Sequence, residues 1–263
     1  MQYIDCNKYA QDILDAVRAI PYKKKLVILS VGNDPASESY VKGKIRDCEY
    51  CCIPYEHIKC DSNTLGTHIH QANFNDNVNG IIVQLPLPKS MDEKSYTDRI
   101  FINKDVDGFK EGSPFKPCTP EGIMYLLRKE LGDLTGKDVL VVGRGKLVGE
   151  PIAKMLLDAN CTVTVAHSKT KDLHLYLRKA SVIISAVGKP KTIDLKSCWN
   201  AEMVVDVGVN RDENGNLVGD CYDFDKSFLI NPNMKVTPVP GGIGLMTRAM
   251  LMAHVARLDV NSI

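Results

Sequence analysis

The chain has 263 residues, 44% apolar and 25% charged, ordinary proportions for a soluble globular protein with one large or two modest cores. A formal charge of +1 argues against a nucleic-acid partner or a membrane-surface protein. No apolar run approaches the ~20 residues that span a bilayer, and Met1-Gln-Tyr-Ile-Asp-Cys6 resembles no secretory signal, so a cytoplasmic location is expected.

In chain order, residues 5–19 are predicted as a helix with Ile13, Val17 and Ile20 on one side. Leu26–Val31 is an apolar run that predicts a buried strand. The turn and cap residues Asn33–Ser37 then open a helix that carries Tyr40 and Lys44 and ends near Pro54. A strand over 55–59, a helix over 65–74 and a strand over 80–85 follow, a βαβ alternation that predicts a parallel layer. Residues 116–121, Lys-Pro-Cys-Thr-Pro-Glu, read as a hinge. Beyond it come strands at 138–142, 162–166, 182–187 and 203–207, with a helix ending at Ala159, a doubly wound Rossmann-type half. Met246–Leu258 is predicted as a closing helix that returns to the first domain. The expected fold is therefore two α/β domains with a cleft between them: 1–117 plus about 245–263, and 118–244.

The 9 cysteines are odd in number and irregular in spacing. Cys48-x-x-Cys51 lacks a second pair that would complete a zinc site, so no metal is expected. Val41, Ile45, Cys48 and Cys52 instead form a helical stripe in which Cys serves as a small hydrophobe.

Tyr40 and Lys44 lie four apart, so a phenol and an amine share one helix face and could move protons. Gly143-x-Gly145-x-x-x-Gly149 joins a strand to a helix, where glycines let a pyrophosphate approach the helix N-terminus. The next strand ends Ala166-His167-Ser168-Lys169, without the acid that takes a ribose 2′-hydroxyl. Arg144, Ser168 and Lys169 could meet a 2′-phosphate, which favours NADP and leaves NAD as the alternative. Gln84 ends a strand before the rigid Leu85-Pro-Leu-Pro88 lip. Asp105 and Asp107 flank Val106, where an acid could hold an amino-pyrimidine edge or a turn could leave both acids solvated. Thr237–Gly244 is too rich in Pro and Gly for a regular element, so its backbone could line a ligand.

Together these segments resemble the bifunctional methylenetetrahydrofolate dehydrogenase/cyclohydrolase family over essentially the whole chain. The specific matches are Ser39-Tyr40-Val41-x-x-Lys44, Val83-Gln84-Leu-Pro-Leu-Pro88, Lys104-Asp-Val-Asp107-Gly, Pro117-Cys-Thr-Pro120 and Pro240-Gly-Gly-Ile-Gly244. Val142-Gly-Arg144, Val148-Gly149 and His167-Ser168-Lys-Thr170 complete the set. The resemblance implies that Lys44 is the general acid/base, with Tyr40, Gln84 and Asp107 completing the catalytic group. Tyr40 would stack on the folate, Gln84 would hold the Lys44 amine and Asp107 would anchor the pterin. Val83, Leu85, Pro240, Gly241 and Gly244 would line the substrate. Gly143, Arg144, Gly145, Val148, Gly149, His167 and Ser168 would bind NADP.

The implied reactions are oxidation of 5,10-methylenetetrahydrofolate and hydrolysis of the methenyl product to 10-formyltetrahydrofolate, in a homodimer that pairs through its nucleotide-binding domains. Gly145 stands where the family usually has Ser, which raises the alternative of a cyclohydrolase with weak or altered dehydrogenase cofactor use. Leu245 replaces a usual Pro, so a looser loop is expected there, and Gly43 lies inside the catalytic helix at a cost of about 1 kcal/mol. A short-chain dehydrogenase places its glycine loop before the Tyr-x-x-x-Lys, the reverse of this order. A non-catalytic folate- or nucleotide-binding protein would not need Tyr40, Lys44, Gln84 and Asp107 together.

Overall fold

The computed structural model describes residues 1–223 and 231–263. Residues 224–230, within the expected 118–244 domain, lie outside them. The chain begins β1 (Gln2–Tyr3), α1 (Cys6–Ala19), β2 (Lys25–Val31), α2 (Pro35–Tyr50) and β3 (Tyr55–Cys60). Next come α3 (Leu65–Asn73), β4 (Val78–Val83), α4 (Glu93–Thr97), α5 (Cys118–Leu131) and β5 (Asp138–Val142). They lead to α6 (Gly149–Asp158), β6 (Thr162–Ala166), α7 (Leu173–Leu177), β7 (Val182–Ser185), β8 (Ile193–Asp194) and β9 (Met203–Asp206). The short strands β10 (Asn210–Arg211), β11 (Leu217–Val218), β12 (Cys221–Tyr222) and β13 (Lys235–Val236) precede α8 (Ile243–Ala256).

Two compact units emerge: Ala10–Cys118 with Arg248–Ile263, and Met1–Tyr9 with Thr119–Thr247. In the first, a parallel sheet has the order β3-β2-β4. Leu26, Val27, Ile28 and Leu29 of β2 are all buried, as a central parallel strand covered on both faces requires. Val27, Leu29, Ile81 and Val83 pack with Leu65 and Ile69 of α3. The Asp34 carboxylate caps α2 by accepting the Ser37 amide at 2.7 Å, and Pro35 occupies the first turn, where its missing N–H costs nothing.

That helix stops at Tyr50, since Cys52 takes a left-handed conformation with φ 53°. The expected cysteine stripe is corrected there: Cys48 and Cys51 are buried and Cys52 is exposed, because the left-handed residue breaks the helical repeat. Burial pushes the Cys48 and Cys51 thiols up to about 12, so both behave as hydrophobes.

The second unit holds a parallel six-stranded sheet in the order β1-β13-β9-β7-β5-β6. Met1–Tyr9, expected with the first domain, clusters here because Gln2 and Tyr3 pair with Lys235 and Val236. A unit boundary does fall within the expected hinge, at Cys118/Thr119. From Cys118 onward, however, that segment is α5, with Ile123, Met124, Leu126 and Leu127 buried. Pro120 reads as a breaker in sequence, yet it stands in the first turn, where proline is tolerated. The chain leaves β5 for β6 on one side and returns to β7 on the other, so the topological switch point lies between β5 and β7. Open α/β sheets bind ligands outside the carboxyl ends of the strands at such a point.

Candidate active site

In the first unit, α2 carries Tyr40 and Lys44, and Gln84 follows the end of β4. The Gln84 amide donates to the Leu29 carbonyl at 2.8 Å, which extends the sheet by one residue and fixes its side chain. Lys44 and Gln84 are both buried, at 8% exposure each. Lys44 Nζ donates to Gln84 Oε1 at 3.1 Å, and Gln84 Nε2 donates to the Leu85 carbonyl at 2.6 Å. The second bond sets the amide orientation, so an oxygen faces the Lys44 amine. Gln84 also walls a cavity of about 330 Å³ beneath α2, together with Ser30, Ser37, Val41, Ile45 and His57.

The Lys104–Asp107 segment separates its two acids. Lys104 donates to the carbonyls of Ala72, Asn73 and Asn75 at 3.0, 2.7 and 2.8 Å and so caps the end of α3. Asp105 is 3% exposed and accepts the Lys110 amide at 2.8 Å. The bland expectation of two solvated acids therefore fails, because Asp105 is built into the loop. Asp107 is half-buried, and loss of solvation raises its carboxyl pKa against the opposing pull of the Lys44 charge. Lys44, Gln84 and Asp107 thus come together by hydrogen bonding and charge. Tyr40 is half-buried on the same helix, and burial raises its phenol pKa. Val83 ends β4 and Leu85 enters the lip through a cis Leu85–Pro86 peptide.

Several supporting residues carry no signal in the sequence. Arg248 Nε approaches Asp47 Oδ2 at 2.8 Å as an ion pair in which neither atom has an aligned hydrogen bond. A Cβ at Gly43 would strike the Arg248 guanidinium. The glycine that looks costly within a helix thus leaves room for a cation packed against α2. His254 on α8 donates from Nδ1 to the Val106 carbonyl at 2.8 Å. Its ring stacks on Phe115 at 4.7 Å, and the Arg257 guanidinium lies 4.6 Å from the centre of the Phe115 ring. Cys118 supplies its amide to the Asp107 carbonyl at 3.2 Å. These contacts brace both sides of the peptide that presents Asp107. The Arg248–Asp47 and His254–Val106 contacts join residues far apart in sequence, and no local pattern could have found them.

In the second unit, the glycine loop fits a dinucleotide on structural grounds. Gly143 has φ +108°, and a Cβ on Gly149 would run into the Gly143 carbonyl. Gly145 has open space around it, and Arg144, Gly145 and Lys146 are exposed. Val148 at the α6 N-cap provides no side-chain acceptor, which suits an anion at the helix start. Arg144 and Ser168 could therefore hold a 2′-phosphate, with backbone amides near Gly149 on the pyrophosphate. His167 acts locally, since its Nδ1 accepts the Lys169 amide at 3.2 Å and closes the turn that presents Ser168. Pro240 and Gly241 are exposed after a cis Val239–Pro240 peptide, and Gly244 lies in the first turn of α8. The looser loop expected from Leu245 is corrected: its amide donates to the Gly242 carbonyl at 3.0 Å, a bond that proline could not make. Among the described residues, no group of three His, Cys, Asp or Glu could hold a metal ion.

Comparison with known proteins covers both units. Residues 4–107 match the tetrahydrofolate dehydrogenase/cyclohydrolase catalytic domain, and residues 117–262 match the NAD(P)-binding domain of the same family. The bifunctional protein FolD of Dechloromonas aromatica is 40% identical over 273 residues, covering 96% of this chain and 95% of the relative. The crystal structure of the bifunctional FolD enzyme from Campylobacter jejuni superimposes with a TM-score of 0.90 at 37% identity and covers 100% of each chain. The Trypanosoma brucei enzyme complexed with NADP and an inhibitor gives 0.86 at 27% identity, covering 96% of this chain and 95% of that one. With matches of this extent, the chain belongs to the tetrahydrofolate dehydrogenase/cyclohydrolase family.

Proposed function

We propose that Lys44 carries the proton transfers of a bifunctional enzyme that oxidises 5,10-methylenetetrahydrofolate and hydrolyses 5,10-methenyltetrahydrofolate to 10-formyltetrahydrofolate. The Lys44–Gln84 hydrogen bond of 3.1 Å, with the Asp107 carboxylate alongside, is the observation that carries this reading. In the hydrolytic step water adds to the methenyl carbon and gives one proton to a base; the carbon–nitrogen bond then breaks as the departing ring nitrogen takes a proton, and the hydroxyl loses its remaining proton to solvent water as the formyl C=O forms. Lys44 serves as base and then as acid, because its amine is aimed by Gln84 and returns the same proton. Tyr40 stacks on the folate, and Asp107 receives the amino-pyrimidine edge with two hydrogen bonds. Val83, Leu85, Pro240, Gly241 and Gly244 are assigned to the folate by the same reading. When bound, NADP would supply the hydride acceptor for oxidation of the one-carbon bridge. The chain's own part in that step is positioning: Gly143, Gly145, Val148 and Gly149 admit the pyrophosphate, while Arg144, His167 and Ser168 form the 2′-phosphate side.

Residues 10–118 with 248–263 are accordingly read as the folate-binding catalytic domain, and 1–9 with 119–247 as the dinucleotide-binding domain. Pairing of two copies through β6 is supported by its place at the sheet edge and by exposed Val165, Leu175 and Tyr176. A cytoplasmic setting is supported by the buried thiols of Cys6, Cys48, Cys51, Cys161 and Cys198, which suit a reducing compartment. Among the described residues, no helix is long and apolar enough to cross a membrane.

Lys44→Ala is the test. Methenyl hydrolysis should fall by about 10²–10⁴, the usual worth of a positioned acid/base, while folate binding persists. Hydrolysis at the wild-type rate in a folded variant would overturn the assignment.

A further inference from the structure

The carboxylate of Asp220 is fully buried and takes no part in the candidate active site. It accepts five hydrogen bonds: from Ser185 Oγ at 2.9 Å, the amides of Val187, Gly188 and Lys189 at 2.9, 3.1 and 2.9 Å, and Asn210 Nδ2 at 3.0 Å. Such a shell saturates a carboxylate, which has about four lone-pair sites. The Asp220 amide is in turn held by Asp206 Oδ1 at 3.0 Å, and its carbonyl accepts the Thr192 amide at 2.8 Å. Gly208 has no Cβ because Asp220 fills that space.

The three amides in that shell are consecutive and lie just past β7. Three successive N–H groups converging on one point form an anion-binding concavity. Here the chain fills it with its own carboxylate, so the loop takes its shape without a ligand. The same loop touches the candidate cofactor site, because a Cβ on Gly143 would meet the Ala186 carbonyl and approach the Val187 amide. The β5 and β7 ends also lie side by side, Val142 opposite Ser185, at the switch point. Val187 presents an apolar side chain there at 39% exposure, and Gly188 turns the loop at φ +68°.

We propose that Asp220 is a positioning residue for the dehydrogenase reaction, clamping the 187–189 loop into the surface on which the nicotinamide half of NADP lies. The inference rests on reading Gly143–Gly149 as the pyrophosphate loop. It makes Asp220 act through the loop, with no contact to substrate or cofactor, and it predicts that the two activities separate. Oxidation needs the nicotinamide surface; hydrolysis of the methenyl compound uses no nucleotide.

The experiment measures both activities of the full chain with Asp220→Asn, Asn210→Ala and Ser185→Ala. Asp220→Asn should raise the KM for NADP about tenfold or more, the scale of losing bonds to a charged acceptor, and leave methenyl hydrolysis within about twofold of wild type. Asn210→Ala and Ser185→Ala, which remove one donor each, should raise that KM about two- to fivefold. They also keep the test alive if Asp220→Asn does not fold. In Asn210→Ala, amide exchange of the 187–189 segment should quicken without NADP and slow again when NADP is added. Equal loss of both activities would reduce Asp220 to a fold element, and an unchanged KM in the folded variants would also overturn the proposal. Gly149→Val separates the underlying reading: an unchanged NADP KM there would sink the pyrophosphate-loop assignment itself.

Discussion

Lys44, Gln84 and Asp107 carry their candidate chemistry on side chains, held in place by α2, the end of β4 and the 105–107 loop. The 143–149 loop and the neighbouring 187–189 loop do the opposite: their candidate working groups are backbone amides, and in the second the Asp220 side chain does the holding. In the first region burial works against charge, as the raised Asp107 carboxyl shows. In the second, burial of a satisfied carboxylate shapes a loop. Substitutions in the first region should therefore act through charge, and those in the second through shape.

The largest effect expected beyond Lys44→Ala is that of Gly149→Val. A side chain there would push into the Gly143 carbonyl, so NADP-dependent oxidation should fall by about 10²-fold or more, as misplacement of reacting groups does, with hydrolysis retained in the folded protein. Loss of both activities at normal stability would erase the contrast between the regions.

Asp107→Asn is next. Folate KM should rise about tenfold, as for a lost bond to a charged group. The sign of the stability change is separate. Because the folded carboxyl is raised, its contribution is present below the ordinary aspartate range and is lost as pH rises through the folded value. The neutral amide should therefore raise the Tm at pH 7 and give no gain near about pH 3, below the unperturbed value of ~3.9. A lower Tm at pH 7 would show that the Asp107 charge is stabilising.

Gly43→Ala is the smallest and the most direct test of packing. Helix propensity alone predicts a gain of about 1 kcal/mol. The Arg248 guanidinium fills the space a methyl would need, so denaturant unfolding should instead show a loss of about 1–3 kcal/mol, typical of overpacking. A net gain would mean that Arg248 moves aside freely.

Much of this molecule is legible in one dimension. The buried strands β2, β5, β7 and β9 are apolar runs, and the 138–142, 149–158 and 162–166 elements announce their order through glycine and periodicity. Tyr40 with Lys44, and Gly143 with Gly149, are short-range patterns whose meaning follows from helix and turn geometry. The family resemblance joined them because it covers the full chain. The misreadings share one cause. Pro120 looked like a hinge and starts a helix; Leu245 looked like a loosened loop and supplies an amide; Gly43 looked like a defect and makes room for Arg248. In each case the deciding partner is set by the fold.

The sequence by itself determined the alternation of strands and helices, the glycine loop and the candidate side chains for proton transfer, because these depend on neighbours a few residues away. Only the tertiary structure decided what holds them. Lys44 meets Gln84 across 40 residues and His254 braces Val106 across 148. The Asp220 carboxylate gathers amides from more than 30 residues upstream. Such contacts leave no periodic mark, since a buried polar group is satisfied by whatever partner the packed chain brings within about 3 Å.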